Sequence, residues 1–392
     1  MKLWRVNLLS PLSKILERLV FNKVKTLFYQ NYGIGQHGFR KSASTTTALI
    51  DIMNTVMKCY DETSTSVIAV ISFDLSQAFD VVDHELLIKR LQRCGFPSAF
   101  VNWLVSYLTK RTSQVRLRGV SSRRFSVNRG VPQGSVLGPP LFCVYTNDYI
   151  PKFSQTKLVK YADDVNLIMS FSSSSQDLVN KAVTDELLHL ENWCSKRKLQ
   201  LNRSKSKILV HSRRKLFAMP TFPIPLCENM VVLGVDINTD LNWKTHVEKV
   251  CIKANQRFHL LRKLRSYLSP PELHETYLTL IRSLLEYACP VFFGINKKLN
   301  KKLERIDRRA HNIIYPFCDP FPCKCEKSAI KIRRQEISKR LFKRIQKDDN
   351  HLLQAEMPKI LPNTRRFQMT HCRTLRFQSS FIPGVTALLN DF

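Results

Sequence analysis

The chain has 392 residues, 44% apolar and 24% charged, the proportions of a folded protein with more than one subdomain, which excludes a mini-protein and a mostly disordered chain. Its 62 Lys and Arg against 31 Asp and Glu give a formal charge of +31, a self-repelling excess that points to a polyanionic partner, nucleic acid ahead of an anionic membrane surface. No run of about 18 uncharged apolar residues exists, so no spanning helix is expected.

In chain order, Lys14 to Tyr29 carries Ile15, Leu16, Leu19, Val20, Val24, Leu27 and Phe28 at helical spacing, an amphipathic helix. Lys14, Glu17, Arg18, Lys23 and Lys25 interrupt that stretch, so it is no signal peptide and secretion is not expected. Three glycines make 31–38 a loop, and Ser42 to Lys58 reads as a helix opening on a Ser/Thr-rich cap. Val67 to Phe73 (VIAVISF) is a β-branched apolar run that fits a central, buried strand.

A helix from about Asp83 presents Leu86, Leu87 and Leu91 and stops at Gly95 and Pro97; the next presents Val101, Leu104, Val105 and Leu108. Gln114 to Val131 alternates like a hairpin carrying Arg116, Arg118, Arg123, Arg124 and Arg129, and Leu158 to Phe171 reads as two strands about a tight turn at Ala162 to Asp164. Leu178 to Trp193 is helical, Lys205 to His211 strand-like, and Pro220, Pro223 and Pro225 mark a connector.

Thr245 opens a basic helix with a stripe of Val247, Val250, Cys251, Ala254, Phe258, Leu261 and Leu264, and Pro270 starts another that runs to about Tyr287. From Lys297 to Lys347, 17 Lys and Arg face 5 Asp and Glu with weak periodicity, which reads as a basic tail. The eleven cysteines, odd in number and scattered, suit a reducing compartment, so the expected location is intracellular, nucleus or cytoplasm. Cys318, Cys323 and Cys325 lack zinc-ligand spacing and read as ordinary thiols.

Two acidic strand ends carry the chemistry: Asp74 after the apolar strand, and Asp163-Asp164 at the hairpin turn some ninety residues on. Each alone is more often a turn former or helix cap. Carboxylates brought together at buried strand ends repel one another and lose hydration, a cost that cations remove. Hard oxygen ligands with positions left open suit Mg2+, which draws its remaining ligands from water and substrate phosphates, and a pair of such ions serves in-line phosphoryl transfer. Between the acidic ends, residues 130–142 hold three of the chain's eleven glycines. Glycine is otherwise scarce, roughly 3% against about 7% on average. Such a segment either brings backbone close to a substrate, with Gln133 as donor and acceptor, or is a tight loop before a core helix.

The ordered set FDLSQAFD (73–80), GVPQGSVLGPPLF (130–142), YADD (161–164), LNRSKSK (201–207) and VVLGVDINTDLNW (231–243) resembles the reverse transcriptase domain of non-LTR, LINE-type, jockey-like retrotransposons. LLSPLSKILERLVFNKV and QHGFRKSASTTTAL upstream resemble the family's finger motifs, and the likeness runs from about residue 5 to residue 287. The resemblance implies an α+β right-hand polymerase with partial fingers (1–66), an antiparallel-sheet palm with finger insertions (67–244), a helical thumb (245–296) and a basic C-terminal extension (297–392).

It further implies that Asp74, Asp163 and Asp164 are catalytic metal-binding carboxylates and the Leu75 carbonyl an extra ligand, for two Mg2+ with Mn2+ as substitute. Phe79 matches the aromatic residue that crowds a ribose 2'-hydroxyl, or else is a core aromatic. Gln133 and Gly134 match the lining of the incoming nucleotide, Arg40 offers a cation to the triphosphate, and Lys205 protonates pyrophosphate or is a solvated surface lysine. Leu233 and Gly234 match the hairpin that grips the primer end. Asp80, Asp83 and His84 are expected to cap or support. RNA template, DNA primer and dNTPs are the implied partners, with no membrane and no obligate protein partner. The implied reaction is RNA-directed DNA synthesis; a truncated remnant that clamps nucleic acid without catalysis is the alternative. An RNA-dependent RNA polymerase is disfavoured by Phe79.

Overall fold

The computed structural model describes residues 8–172, 175–212, 222–316, 330–362, 364 and 366–391. Pro220, Cys318, Cys323 and Cys325 lie outside them. The first helix, α1 (Pro11–Gln30), starts at Ser10, whose side chain accepts from the Ser13 amide, with Pro11 at the first helical position. The second, α2 (Thr45–Asp61), opens on a reciprocal cap between Ser44 and Thr47. Strand β1 (Val67–Phe73) follows, then α3 (His84–Arg93), capped by the Asp83 carboxylate, and α4 (Ser98–Leu108).

The basic hairpin is two short nested ladders, β2 (Thr112–Ser113) with β5 (Phe125–Ser126) and β3 (Arg116–Leu117) with β4 (Val120–Ser121). Arg118 and Gly119 turn at positive φ. Next come α5 (Gly138–Tyr145), the hairpin of β6 (Lys157–Tyr161) and β7 (Asp164–Phe171), α6 (Gln176–Lys196) and β8 (Lys207–Ser212).

These strands form one antiparallel sheet in the order β6-β7-β1-β8. It is covered on both sides, which is why β1 is apolar at every position but Ser72 instead of alternating. Val67, Ala69, Ile71 and Phe73 belong to a core with α3, α4, α5 and α6, while Ile68 and Val70 join α2 in the opposite core. Ile71 is fully buried, so truncation to Ala costs about 2–5 kcal/mol.

A second hairpin, β9 (Asn229–Val232) with β10 (Val235–Asn238), leads into α7 (Lys244–Leu264). There follow α8 (Pro270–Tyr277), a π-helical turn at Leu278–Arg282, α9 (Ser283–Glu286) and α10 (Lys297–Ile314). The chain ends with α11 (Ile330–Gln346), α12 (Leu375–Gln378) and α13 (Phe381–Asn390).

The expectation of a basic tail of weak periodicity is corrected here. In α10, Leu299, Leu303, Ile306, Ala310, Ile313 and Ile314 are buried at three- and four-residue spacing; α11 buries Leu341, Phe342 and Ile345. Long basic side chains outnumber this seam and mask it in the sequence. The C-terminal part is fastened to α2: the Asp61 carboxylate accepts from the Arg373 and Thr374 amides at 2.9 and 2.7 Å. The Asn54 amide donates to Glu356 at 3.0 Å.

Candidate active site

Phe73 of β1 pairs with Val165 of β7, so Asp74, one residue past β1, comes out across from Asp164, the first residue of β7. Asp163 sits in the two-residue turn closing β6 onto β7, with Tyr161 paired to Asp164. Strand register thus closes the ninety-residue gap in sequence. The turn needs a left-handed residue, and Ala162 supplies it at φ 58°, a conformation that costs a side-chain-bearing residue about 1–2 kcal/mol.

Surrounding structure holds that strain. Gln36, fully buried, accepts through Oε1 from the Ala162 amide at 3.1 Å and the Gly38 amide at 2.8 Å. The His37 amide donates to the Lys160 carbonyl at 2.8 Å and the Lys160 amide to the Gly35 carbonyl at 2.7 Å along the same edge. Gly38 comes so close that a Cβ there would stand 2.5 Å from the Ala162 nitrogen, which forbids any larger residue in QHGF.

The carboxylates press on one another. Burial, and then the charge of Asp74, raise Asp163 above the usual carboxylate range. Asp164 keeps a solvent-exposed edge, yet burial and the charges of Asp163 and Asp74 push it up to about 6. The nearest counter-charge is Lys205, whose Nζ stands 3.6 Å from Asp74 Oδ2, both half-exposed. Among the described residues no three His, Cys, Asp or Glu are gathered tightly enough to hold a metal ion alone. Mg2+ needs only one or two protein carboxylates when water and phosphate fill its other positions, and this anionic, under-compensated set fits such an ion.

Leu75 and Leu201 face each other in a bridge whose bonds run from Ser76 to Gln200 and from Asn202 to Asp74. That pattern turns the Leu75 carbonyl away from residue 201, free for another role. Ser206 Oγ, which donates to the Asn202 carbonyl, accepts from the Asp74 amide at 3.2 Å, so the turn bearing Lys205 is tied to the strand end it faces.

The glycine-bearing segment is brought to the same place. Val131 donates to the Phe79 carbonyl at 2.8 Å and Gly130 to that of Val82 at 2.7 Å. Gly130, at φ 88°, is so close that a Cβ would meet the Asp80 carbonyl oxygen at 2.7 Å. Gln133 Nε2 donates to Asp80 Oδ1 at 3.0 Å, and Gly134 lies exposed beside it. Phe79 stacks on Phe142 at 4.5 Å and stays partly exposed, so its ring has a packed face and an open edge.

Arg40 is half-buried, its Nε donating to the Gln36 carbonyl at 3.3 Å; burial lowers its pKa, with Tyr32 and Cys143 as neighbours. Leu233 and Gly234 form the positive-φ tip of the β9–β10 hairpin. Tyr287 Oη donates to the Leu233 carbonyl at 2.7 Å.

Sequence reasoning missed three groups. Glu17, buried on α1, accepts from the Val136 and Leu137 amides at 2.7 and 3.2 Å and from Tyr107 Oη at 3.0 Å. It thereby fixes the 130–137 segment at the start of α5. Lys160 is buried beneath the acidic turn, its Nζ donating to the Thr146 carbonyl at 3.0 Å and its pKa lowered to about 8 by burial. Gln36 is the third. A charge on the apolar side of a helix was the only local signal, and it marks Glu17 alone.

Residues 1–243 match the family described as "Reverse transcriptase (RNA-dependent DNA polymerase)". The chain belongs to that family. Its relatives include RNA-directed DNA polymerases of non-LTR retrotransposons. One from transposon BS of Drosophila melanogaster, named a probable RNA-directed DNA polymerase, is 28% identical over 330 residues, covering 79% of this chain and 36% of the relative. Another, from the mobile element jockey of the same organism, is 29% identical over 217 residues, 53% of this chain and 23% of the relative. The chain spans about a third, or less, of the length of these relatives.

Among solved structures, telomerase from Candida tropicalis in complex with a telomeric RNA fragment aligns at TM-score 0.45 and 13% identity, over 78% of this chain and 46% of that one. The chain has the α+β right-hand polymerase fold expected from its motifs. Reverse transcriptases use divalent metal ions. No helix among the described residues is long and apolar enough to cross a membrane.

Proposed function

We propose that this chain catalyses RNA-templated DNA synthesis, joining dNTPs to a primer 3'-hydroxyl. The observation that carries the proposal is the convergence of Asp74, Asp163 and Asp164 at neighbouring strand ends, with Lys205 3.6 Å from Asp74. In this reading Asp74, Asp163, Asp164 and the Leu75 carbonyl hold two Mg2+, which when bound neutralise charge on the reacting phosphates. The chain's residues do the rest by positioning and charge.

The primer 3'-hydroxyl oxygen gives up its proton to solvent and bonds to the α-phosphorus as the bond to pyrophosphate breaks, and Lys205 gives a proton to the departing group and regains one from solvent. Arg40 faces the triphosphate. Gln133 and Gly134 line the nucleotide, with Gln133 steadied by Asp80. The open edge of Phe79 stands where a 2'-hydroxyl would crowd it, favouring dNTPs. Leu233 and Gly234 hold the primer end, supported by Tyr287.

The working division is fingers over 1–66, palm over 67–244, thumb over 245–296 and a C-terminal extension over 297–392. Arginines of the 116–129 hairpin and lysines in the first half of α7 contact template and primer phosphates, which positions the hybrid without reading its sequence.

Primer extension on poly(rA) and oligo(dT) with Mg2+ tests this. The wild-type chain is expected to extend and Asp163→Asn with Asp164→Asn to abolish extension. Activity surviving in that double variant refutes the site.

A further inference from the structure

The C-terminal parts of α7 and α10 enclose a concave basin of about 520 Å3 lined by Arg262, Arg265, Arg305, Arg308 and Arg309 with Asn312 and Ile313. The two helices run parallel, since Lys302 pairs with Glu248 and Arg309 donates to Asn255 at 2.8 Å, both pairs advancing together. Their C-terminal ends therefore converge here. Two helix C-termini supply about −1 in total, enough to explain one arginine.

Arg308 has a further partner and is left out of the balance. Among the described residues Arg262, Arg265 and Arg305 have no carboxylate partner, and Arg309 meets a neutral amide and the face of Phe258. Four guanidinium groups against about one compensating charge leave an excess that an external anion must balance. Guanidinium forks match phosphate geometry. Tyr267, two residues past Arg265 and 79% exposed, offers a ring on which an unpaired base can stack.

We propose that this basin is a second RNA-binding site, holding phosphates of single-stranded RNA away from the polymerising centre. The Asp236 amide donates to His246 near the start of α7. From there to Arg262 the helix rises about 24 Å, which separates the basin from the β9–β10 hairpin. The proposal rests on the nucleic-acid reading above and adds a place and a strand type to it.

The test is the salt dependence of binding to labelled oligo(U), without primer or dNTPs. Arg262→Gln, Arg265→Gln and Arg305→Gln together are expected to reduce the slope of log K against log salt by about 2, roughly 0.7 for each phosphate no longer neutralised. A control variant, Lys14→Gln, Lys23→Gln and Lys25→Gln on exposed positions of α1, removes the same net charge and is expected to leave the slope close to wild type. Should the triple variant misfold, Arg305→Gln alone is expected to lower the slope by about 0.7. Tyr267→Ala weakens binding roughly tenfold with the slope unchanged.

Equal loss in basin and control variants would mean attraction by net charge only and overturns the proposal. So does oligo(U) binding that survives in the basin variant while binding to phosphatidylserine vesicles is lost. Because binding alone is read, a wild-type chain that fails to extend a primer would sink the polymerase reading and leave this result standing.

Discussion

Asp164 gives a prediction whose sign is opposite to that of an ordinary surface carboxylate. Burial and the charges of Asp163 and Asp74 raise its pKa from 3.8 to about 6. A raised carboxylate favours the protonated folded state, so its contribution is fully present below about pH 4 and is lost as the pH rises through 6. At neutral pH the ionised group therefore costs stability when no cation is bound. The raw shift corresponds to about 3 kcal/mol, but Asp164 is solvent-exposed and screening reduces this to about 1 kcal/mol.

Asp164→Asn removes that charge. In chelator at pH 7.5 the variant is expected to unfold in urea at a higher midpoint than wild type, by about 1 kcal/mol, and at pH 4 the advantage should vanish. Adding Mg2+ at pH 7.5 should stabilise the wild type and close the gap. A variant less stable than wild type in chelator at pH 7.5, or an advantage that persists unchanged at pH 4, would refute the argument from crowded carboxylates.

Three further outcomes follow from the packing. Gln36→Leu leaves the Ala162 and Gly38 amides without their acceptor, at about 1–3 kcal/mol for each; thermal melts should show the loss. Glu17→Ala strips the acceptor from Val136 and Leu137, and hydrogen exchange of those two amides should quicken, with the amides of β1 unaffected. Tyr287→Phe removes the bond to Leu233, about 1 kcal/mol, and is expected to raise the KM for primer several-fold with little change in kcat.

The sheet and acidic turn were legible because their signals are local. VIAVISF has the composition of a strand covered on both sides, and a left-handed Ala before two aspartates closes a hairpin within four residues. The buried supports were not legible because their partners are distant in the chain. Glu17 meets Val136, and Gln36 meets Ala162, each more than a hundred residues on. The C-terminal helices were hidden differently, since α10 carries its apolar seam among more numerous lysines and arginines whose stems cover it.

Asp74 and the Asp163-Asp164 pair are expected to act on one cation site although the chain separates them widely, and the polymerase reading depends on it. Titrating Mn2+ into the wild-type chain, Asp74→Asn and Asp163→Asn, followed by the decline of the free-ion paramagnetic resonance signal, tests this most directly. Both substitutions, made in motifs some ninety residues apart, are predicted to weaken the same binding event. Undiminished Mn2+ binding in Asp74→Asn would contradict it.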